Sequence, residues 1–208
     1  MYFYTLYNIR KNIKNAFHVK QFDKKMANQT NENDLAFLKK RVRNIPDFPI
    51  KGIQFKDVTP LFSTSESLKK LGDTLINLYA DKKITKVVGI ESRGLIMGPI
   101  VSLGLNAGFV PIRKPGKLPA EVLEESYEKE YGTDKIQIHK DALTPDDIVL
   151  LHDDLLATGG TMLAAYNLVK KSGVKKIYIN FIVELEELNG RKIFPENIEI
   201  ESLIKFQI

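Results

Sequence analysis

Two adjacent carboxylates, Asp153 and Asp154, stand between an apolar run at residues 148–151 and a loop of small residues. Small side chains and paired glycines allow backbone N–H groups to converge on an anion, and the amino terminus of a following helix adds a favourable dipole. The sequence therefore predicts a phosphate-binding loop, which consists of Ala157, Thr158, Gly159, Gly160 and Thr161.

The two acids beside this loop suggest what is attached to the phosphate. An ionised carboxylate only accepts hydrogen bonds, so a pair of them suits the vicinal hydroxyls of a ribose 5-phosphate. A nucleotide-hydrolysing P-loop would need a lysine after its second glycine, and Thr161 stands there instead. The alternative without a ligand is a capped turn between a strand and a helix.

A group of cations follows two other predicted strands. Arg113, Lys114 and Lys117 surround a Pro-Gly turn, and Arg93 lies in the segment Glu91-Ser92-Arg93-Gly94. Cations placed in this way can stabilise negative charge on a bound anionic group. The alternatives are a solvated basic turn at 113–117 and an ordinary helix start capped by Ser92.

The elements that must position these groups alternate between strands and helices. Short continuous apolar runs suit strands buried on both faces, and they are separated by segments with helical periodicity. This order predicts an α/β fold with a doubly wound parallel sheet and ligands at the carboxyl ends of its strands. Strands are predicted at 87–90, 109–112, 148–151 and 177–183, and helices at about 95–107 and 161–171.

The first half of the domain is less regular. Apolar spacing from Asp34 predicts a helix that stops near Asn44, before Pro46, and residues 45–62 are predicted to be ordered but irregular. Residues 63–66 form a capping box, and a helix to about Ala80 is expected after it. Residues 113–132 show no useful apolar period, whereas the alternation at 135–140 predicts a strand of a hairpin.

Composition and charge limit the class of protein. The chain has 208 residues, of which 43% are hydrophobic, so we expect one globular domain; it has no cysteine, which removes disulfides and fits a reducing compartment. No apolar run reaches the length of a membrane span. Residues 1–25 carry six basic residues and one acid, and the remainder carries 25 of each sign. A nucleic-acid-binding domain is therefore not indicated.

We predict a basic, disordered extension at residues 1–33, followed by the folded domain at 34–208. The interleaved apolar and basic residues of 1–25 also resemble a weak mitochondrial presequence, and a mis-set start with true initiation at Met26 is a further alternative. Cytoplasmic localisation is favoured over mitochondrial import.

The motif IVLLHDDLLATGGT resembles the phosphoribosyl-pyrophosphate-binding motif of the type I phosphoribosyltransferases. Three more segments, at 45–62, 89–99 and 112–132, make the chain similar to the adenine-specific members of that family. The resemblance implies a sheet with a small hood and a flexible lid loop, and a purine salvage glycosyltransferase that makes AMP and diphosphate from adenine and phosphoribosyl pyrophosphate. It also implies Mg2+, bound through the donor without direct protein ligands, and a homodimer; no membrane or nucleic-acid partner is expected.

The resemblance assigns roles to individual residues. Diphosphate binding falls to the two cationic segments, and the peptide bond between Glu91 and Ser92 is expected to be cis. Glu91 stands where the family often has Asp. The diphosphate-binding residues implied are Glu91, Ser92, Arg93, Arg113, Lys114 and Lys117.

The charged segment around residue 130 would, without the resemblance, be interpreted as a mobile surface loop. The resemblance makes Glu130 the catalytic acid that exchanges a proton with N7 of adenine, and Tyr131 the residue that covers the reacting centre. A loop of about 20 residues is long enough for a lid, with Gly116 and Gly132 as hinges.

The adenine slot implied by the resemblance contains Phe55 as the stacking aromatic and Leu185 on the opposite face. Backbone groups of Ile53 and Lys56 would contact the 6-amino edge. Gln54 stands where an apolar residue is common and Lys56 where Arg is common, which leaves the base preference open. The alternatives are a transferase for another nucleobase and a non-catalytic purine-sensing regulator.

All four motifs lie beyond Asp34, which leads to a first prediction. A protein that starts at Met26 should retain the activity of the full chain, as measured by initial rates of AMP formation on both proteins. A large loss on removing residues 1–25 would show that the extension contributes to the domain.

Overall fold

The computed structural model of the chain describes residues 32–129 and 132–207. Residues 1–31 of the extension predicted at 1–33 lie outside them, whereas residues 32 and 33 belong to helix α1, which occupies residues 32–39. The elements that follow are β1 (Arg43–Pro46), β2 (Gln54–Asp57), α2 (Ser65–Tyr79), β3 (Lys86–Ile90), α3 (Gly94–Gly104), β4 (Gly108–Ile112), β5 (Val122–Lys129), β6 (Gly132–His139), β7 (Ile148–Leu156), α4 (Gly160–Lys170), β8 (Lys176–Leu185) and β9 (Glu199–Phe206).

Five parallel strands form the central sheet, in the order β4-β3-β7-β8-β9. Their inner residues are apolar on both faces, and each face is covered by its own cluster of buried side chains. Helices α2 and α3 pack on one face, while α4 and the β5–β6 pair pack on the other. This arrangement confirms the doubly wound parallel α/β fold. No helix within 32–129 or 132–207 is long and apolar enough to cross a membrane.

Most predicted elements of the sheet are present within a few residues of their expected bounds, but the amino-terminal part differs. Helix α1 ends at residue 39, well before Asn44, because the chain enters β1 at Arg43. Residues 45–62 are not wholly irregular, since β1 and β2 form an antiparallel pair with Ile45 opposite Phe55. This pair is separate from the central sheet and corresponds to the expected hood.

The cap of α2 is displaced by one residue from the prediction. Thr64 has the extended backbone of an N-cap, and its side chain accepts a hydrogen bond from the Ser67 amide at 3.2 Å. The helix then runs to Tyr79, as expected. The Ser-Thr-Ser sequence offers three candidate caps, and the choice among them depends on how the preceding 3-10 turn at Thr59–Phe62 presents the chain.

The segment predicted to be a lid loop is largely β-structure. Strand β5 pairs with β6 in an antiparallel register from Val122 and His139 to Lys129 and Gly132. Gly116 and Gly132, the predicted hinges, have φ values of 77° and 91°, in the left-handed region that glycine tolerates. Over its described residues this segment, called the lid arm after its predicted role, is therefore two-stranded rather than irregular.

The buried face of α2 gives a prediction about stability. Leu71 is fully buried beneath the sheet, and Leu71→Ala should lower the free energy of unfolding by about 2–5 kcal/mol, the usual cost of a buried leucine. Leu188→Ala, at a position 46% exposed, is the matched control and should cost much less. Denaturant unfolding monitored by circular dichroism measures both, and equal losses would contradict the assigned core.

Candidate active site

Strands β3, β4 and β7 end at the same edge of the sheet, because they are parallel neighbours. Strand β7 extends to Leu156, so Asp153 and Asp154 belong to its carboxyl-terminal part. The start of α3 packs directly against them. A Cβ atom on Gly94 would lie only 2.6 Å from the carbonyl oxygen of His152 and 3.2 Å from Asp153 Oδ1. Glycine at position 94 thus allows α3 to approach the aspartates.

The small-residue loop leads into α4 in a conformation suited to an anion. Gly159 adopts φ 86° at the N-cap, and no side chain caps the helix, so the first-turn N–H groups remain available to a ligand. A cavity of about 210 Å³ opens here, lined by Arg93, both aspartates and all five residues of 157–161. The structure therefore brings the predicted phosphate loop and the predicted ribose-binding acids into one site.

Arg93 compensates part of the charge of the aspartate pair. Arg93 Nε donates a hydrogen bond to Asp154 Oδ2, and the Asp154 amide donates to Asp153 Oδ1 at 2.9 Å. Burial and the charge of Asp154 raise the pKa of Asp153 well above its usual value. The site thus holds one carboxylate against a guanidinium and a second whose ionisation is disfavoured.

The basic turn after β4 is anchored by Glu91. The Glu91–Ser92 peptide bond is cis, as predicted. The Glu91 carboxylate accepts hydrogen bonds from Arg113 Nε at 3.0 Å and from the Lys114 amide at 2.8 Å, and these bonds lower the pKa of Glu91. The charge of Lys117 acts in the same direction. Glu91 therefore stays ionised and fixes the turn that carries the cations.

The lid arm reaches the phosphate loop from the other side. The Glu128 carbonyl oxygen lies 3.8 Å from the position of a Cβ atom on Gly160. At its base, Lys171 on the turn after α4 forms an ion pair with Glu125 at 2.5 Å, and Lys114 pairs with Asp134 of β6. The predicted catalytic residues Glu130 and Tyr131 follow in the sequence and lie outside the described residues.

The residues predicted to bind adenine lie on two elements. On β2, Phe55 contacts Phe48 edge to face, with ring centroids 5.2 Å apart, and Lys56 Nζ lies 4.7 Å from the Phe206 ring. At the end of β8, Leu185 is opposite Phe206 in the register of β8 and β9. Phe206, which the sequence analysis did not select, therefore lies close to Lys56 and beside Leu185 on the neighbouring strand. Ile53 is 42% exposed on the turn before β2.

Two further polar groups of the site region were also missed. Glu184 is 5% exposed in an otherwise apolar strand end and pairs with Arg191. His152 is fully buried beneath the aspartates, where its Nδ1 lies 3.0 Å from Asn180 Oδ1. The signal for both was the position of a polar residue in an apolar run, since a buried polar group needs a partner.

Comparisons with known proteins agree with this geometry. A family profile described as "Phosphoribosyl transferase domain" matches residues 57–198. Adenine phosphoribosyltransferase of Bacteroides thetaiotaomicron is 65% identical over 165 residues, which are 79% of this chain and 94% of that protein. The crystal structure of the Rhodothermus marinus adenine phosphoribosyltransferase superposes with a TM-score of 0.78 at 46% identity, covering 84% of this chain and 99% of that one.

The sheet, the aspartate pair and the phosphate loop together define a type I phosphoribosyltransferase. The high sequence identity to the relatives above narrows this class to one family. The chain belongs to the adenine phosphoribosyltransferase family.

The buried histidine gives a prediction about pH. Burial lowers the pKa of His152 from 6.5 to about 4, so the unfolded chain takes up a proton before the folded protein does as the pH falls. Between about pH 6.5 and pH 4, His152 should therefore cost up to about 3 kcal/mol of stability. His152→Asn retains an amide donor for Asn180 and should flatten this part of the pH dependence in urea unfolding. The same slope in both proteins would refute the assignment.

Proposed function

We propose that the protein transfers a 5-phosphoribosyl group from phosphoribosyl pyrophosphate to adenine, forming AMP and diphosphate in purine salvage. One observation carries the proposal: the aspartate pair, the phosphate loop and the Glu91-anchored basic turn meet at the carboxyl edge of one sheet. The identity of 65% to a protein named adenine phosphoribosyltransferase supports adenine as the acceptor.

The donor would be held at three points. The amides at the start of α4 bind the 5-phosphate, and Asp153 and Asp154 accept hydrogen bonds from the ribose hydroxyls. Arg113, Lys114 and Lys117 neutralise the diphosphate as it leaves and takes up negative charge. The anomeric carbon becomes positively charged in the same step, so the lid arm must exclude water, which would otherwise hydrolyse the donor.

The acceptor would bind between the hood and the end of β8. Phe55 stacks on one face of the base and Leu185 on the other, and backbone groups of Ile53 and Lys56 contact its 6-amino edge. Solved relatives support this use of the fold, since structures from Giardia lamblia and Saccharomyces cerevisiae are described as complexes with 9-deazaadenine and with adenine, respectively. Glu130 is proposed to exchange the proton at N7, with Tyr131 covering the reacting centre.

Mg2+ is proposed to enter with the donor. Among the described residues, no group of three or more His, Asp or Glu side chains could hold a metal ion. A hydrated Mg2+ bound to the diphosphate and ribose oxygens needs few protein ligands, and the aspartate pair suits contacts through hydroxyls or metal-bound water. When bound, the ion neutralises charge on the diphosphate.

The deciding experiment is an initial-rate assay of AMP formation with and without phosphoribosyl pyrophosphate, repeated with hypoxanthine, guanine, xanthine and orotate. We expect turnover of adenine that needs the donor and disappears when Mg2+ is chelated. A preference for another base would favour the related transferases, and undiminished rates in chelator would contradict the donor assignment.

Cytoplasmic localisation is also proposed, and mitochondrial targeting of a fluorescent fusion of residues 1–30 would contradict it.

Replacing Glu130 separates catalysis from binding. Glu130→Gln cannot exchange the N7 proton and should lower kcat by about 10²–10⁴-fold, with donor affinity little changed. Asp153→Asn with Asp154→Asn should instead weaken donor binding, because ambivalent amides replace two acceptors for hydroxyls. Steady-state kinetics on both variants measure the split. Near-normal kcat in Glu130→Gln would mean that another group moves the proton.

The family resemblance also supports a homodimer, and α3 offers an apolar surface for it. Leu103 is 83% exposed and Ile96, on the same helix face, is 40% exposed. Leu103→Glu should therefore shift the protein toward monomer in sedimentation velocity, because a charge would be buried in the interface. Lys69→Glu, at an exposed position of α2, is the control. A fully active wild-type monomer would contradict the proposal.

A further inference from the structure

We propose that Arg191 is a positioning residue that fixes the adenine slot and the phosphate loop relative to each other. It does so through an ion pair with Glu184 in which the carboxylate is buried and the guanidinium is half-buried. This inference rests on the proposed function and names a residue outside the sites assigned above.

The ion pair is bidentate and well satisfied. Arg191 Nε and Nη2 donate to the two carboxylate oxygens of Glu184 at 2.6 and 2.7 Å. Nη1 donates to the Ile200 carbonyl oxygen at 2.6 Å, and Nη2 also donates to Ser202 Oγ at 3.2 Å. Burial acts to raise the pKa of Glu184, but hydrogen bonds from Arg191 and Ser202 outweigh this effect and lower the pKa. The pair therefore stays charged. Planar two-point contacts of this kind fix direction as well as distance.

One end of the pair belongs to the adenine slot. Glu184 immediately precedes Leu185, the last residue of β8, which is 7% exposed and opposite Phe206. Any rotation of the strand end that displaced Glu184 would also displace Leu185. The carboxylate therefore holds the end of the strand that is proposed to contact the base.

The other end of the pair supports the phosphate loop. Arg191 follows Gly190, and a Cβ atom on Gly190 would lie 2.2 Å from the Ala157 carbonyl oxygen. The contact is reciprocal: a Cβ atom on Gly159 would lie 2.8 Å from the Gly190 carbonyl oxygen and 2.8 Å from Ile193 Cδ1. The two backbone segments are in direct contact, so a shift at Gly190 must move the loop proposed to hold the 5-phosphate.

Only a short segment connects the end of β8 to Gly190 and Arg191. The 3-10 turn Glu186–Leu188 and Asn189, with φ 53°, join Leu185 to Gly190. Arg191 closes this turn on Glu184 and also fastens it to β9 through Ile200 and Ser202. Base and phosphate are joined through one ribose in the product, which limits the distance between them, so a constant separation of the two subsites favours a productive alignment of the reactants.

The test compares the Michaelis constants of four proteins with those of the wild type. Arg191→Met should raise KM for both adenine and the donor by about tenfold or more, since small misplacements at a distance can cost about 10²-fold in rate. Gly190→Ala should raise KM for the donor more than KM for adenine, because a Cβ atom there would lie 2.2 Å from the Ala157 carbonyl oxygen of the phosphate loop and 2.9 Å from Leu156 Cδ1. Lys176→Met breaks an ion pair of 2.5 Å with Glu199 at the opposite end of β8 and should change neither constant.

The fourth protein, Glu184→Met with Arg191→Met, separates positioning from folding. Removing both charges leaves no buried unpaired carboxylate and should restore much of the thermal stability lost in Arg191→Met. Both KM values should nevertheless stay raised, because the links to Ile200 and Ser202 are gone. Wild-type KM values in the double variant, or losses that only follow the unfolded fraction in circular dichroism, would overturn the inference.

A binding measurement keeps this result distinct from the proposed function. Ribose 5-phosphate should protect the wild type against thermal unfolding, and Arg191→Met should need about tenfold more of it for half-maximal protection. If the wild type fails to turn over adenine, the proposed function fails, whereas this shift still supports the link to the phosphate loop. Equal protection of both proteins would refute that link.

Discussion

Two carboxylates side by side at the end of β7 impose the constraint on which the rest of the site depends. Asp153 and Asp154 lie where a buried strand opens to a cavity, so it is costly to ionise both of them with little water to screen their charges. Arg93 compensates one of them, and it can do so only because Gly94 lets α3 approach the strand. The start of α3 thus combines close packing against β7 with a charge that compensates Asp154.

The cations proposed to bind the diphosphate are also paired with opposite charges. In the structure each of three such residues has an acidic partner, which orients its side chain. A diphosphate would therefore meet side chains that are already oriented and would compete with or share their carboxylates. The pairs are Arg93 with Asp154, Arg113 with Glu91, and Lys114 with Asp134.

The sequence predicted the parts of the fold that depend on local patterns. Four of the five sheet strands were found because continuous apolar runs suit strands buried on both faces. Strand β5 was missed because its sequence, VLEESYEK, is stabilised by contacts with β6 and with Lys171, which no local period reveals. Strand β9 was missed for a related reason, since it is an edge strand with alternating charges.

The residues of the candidate site also divide into those that the local sequence reveals and those that it does not. The phosphate loop and the aspartates are contiguous in sequence, so their type and order carry the signal. The pairing of Glu184 with Arg191 depends on a 3-10 turn and a left-handed residue that bring them together, and Phe206 reaches Lys56 only after β9 has joined the sheet. Such contacts are products of tertiary structure and could not be predicted from spacing.

The charges of β9 have a consequence for solubility. Among the described residues β9 is the last strand of the sheet, and the outer side of an edge strand presents backbone N–H and C=O groups that another chain could pair with. Glu199, Glu201 and Lys205 are exposed along it, so an incoming strand would have to strip water from three ionised groups. The pattern that hid this strand from sequence analysis also protects the folded protein against edge-to-edge aggregation.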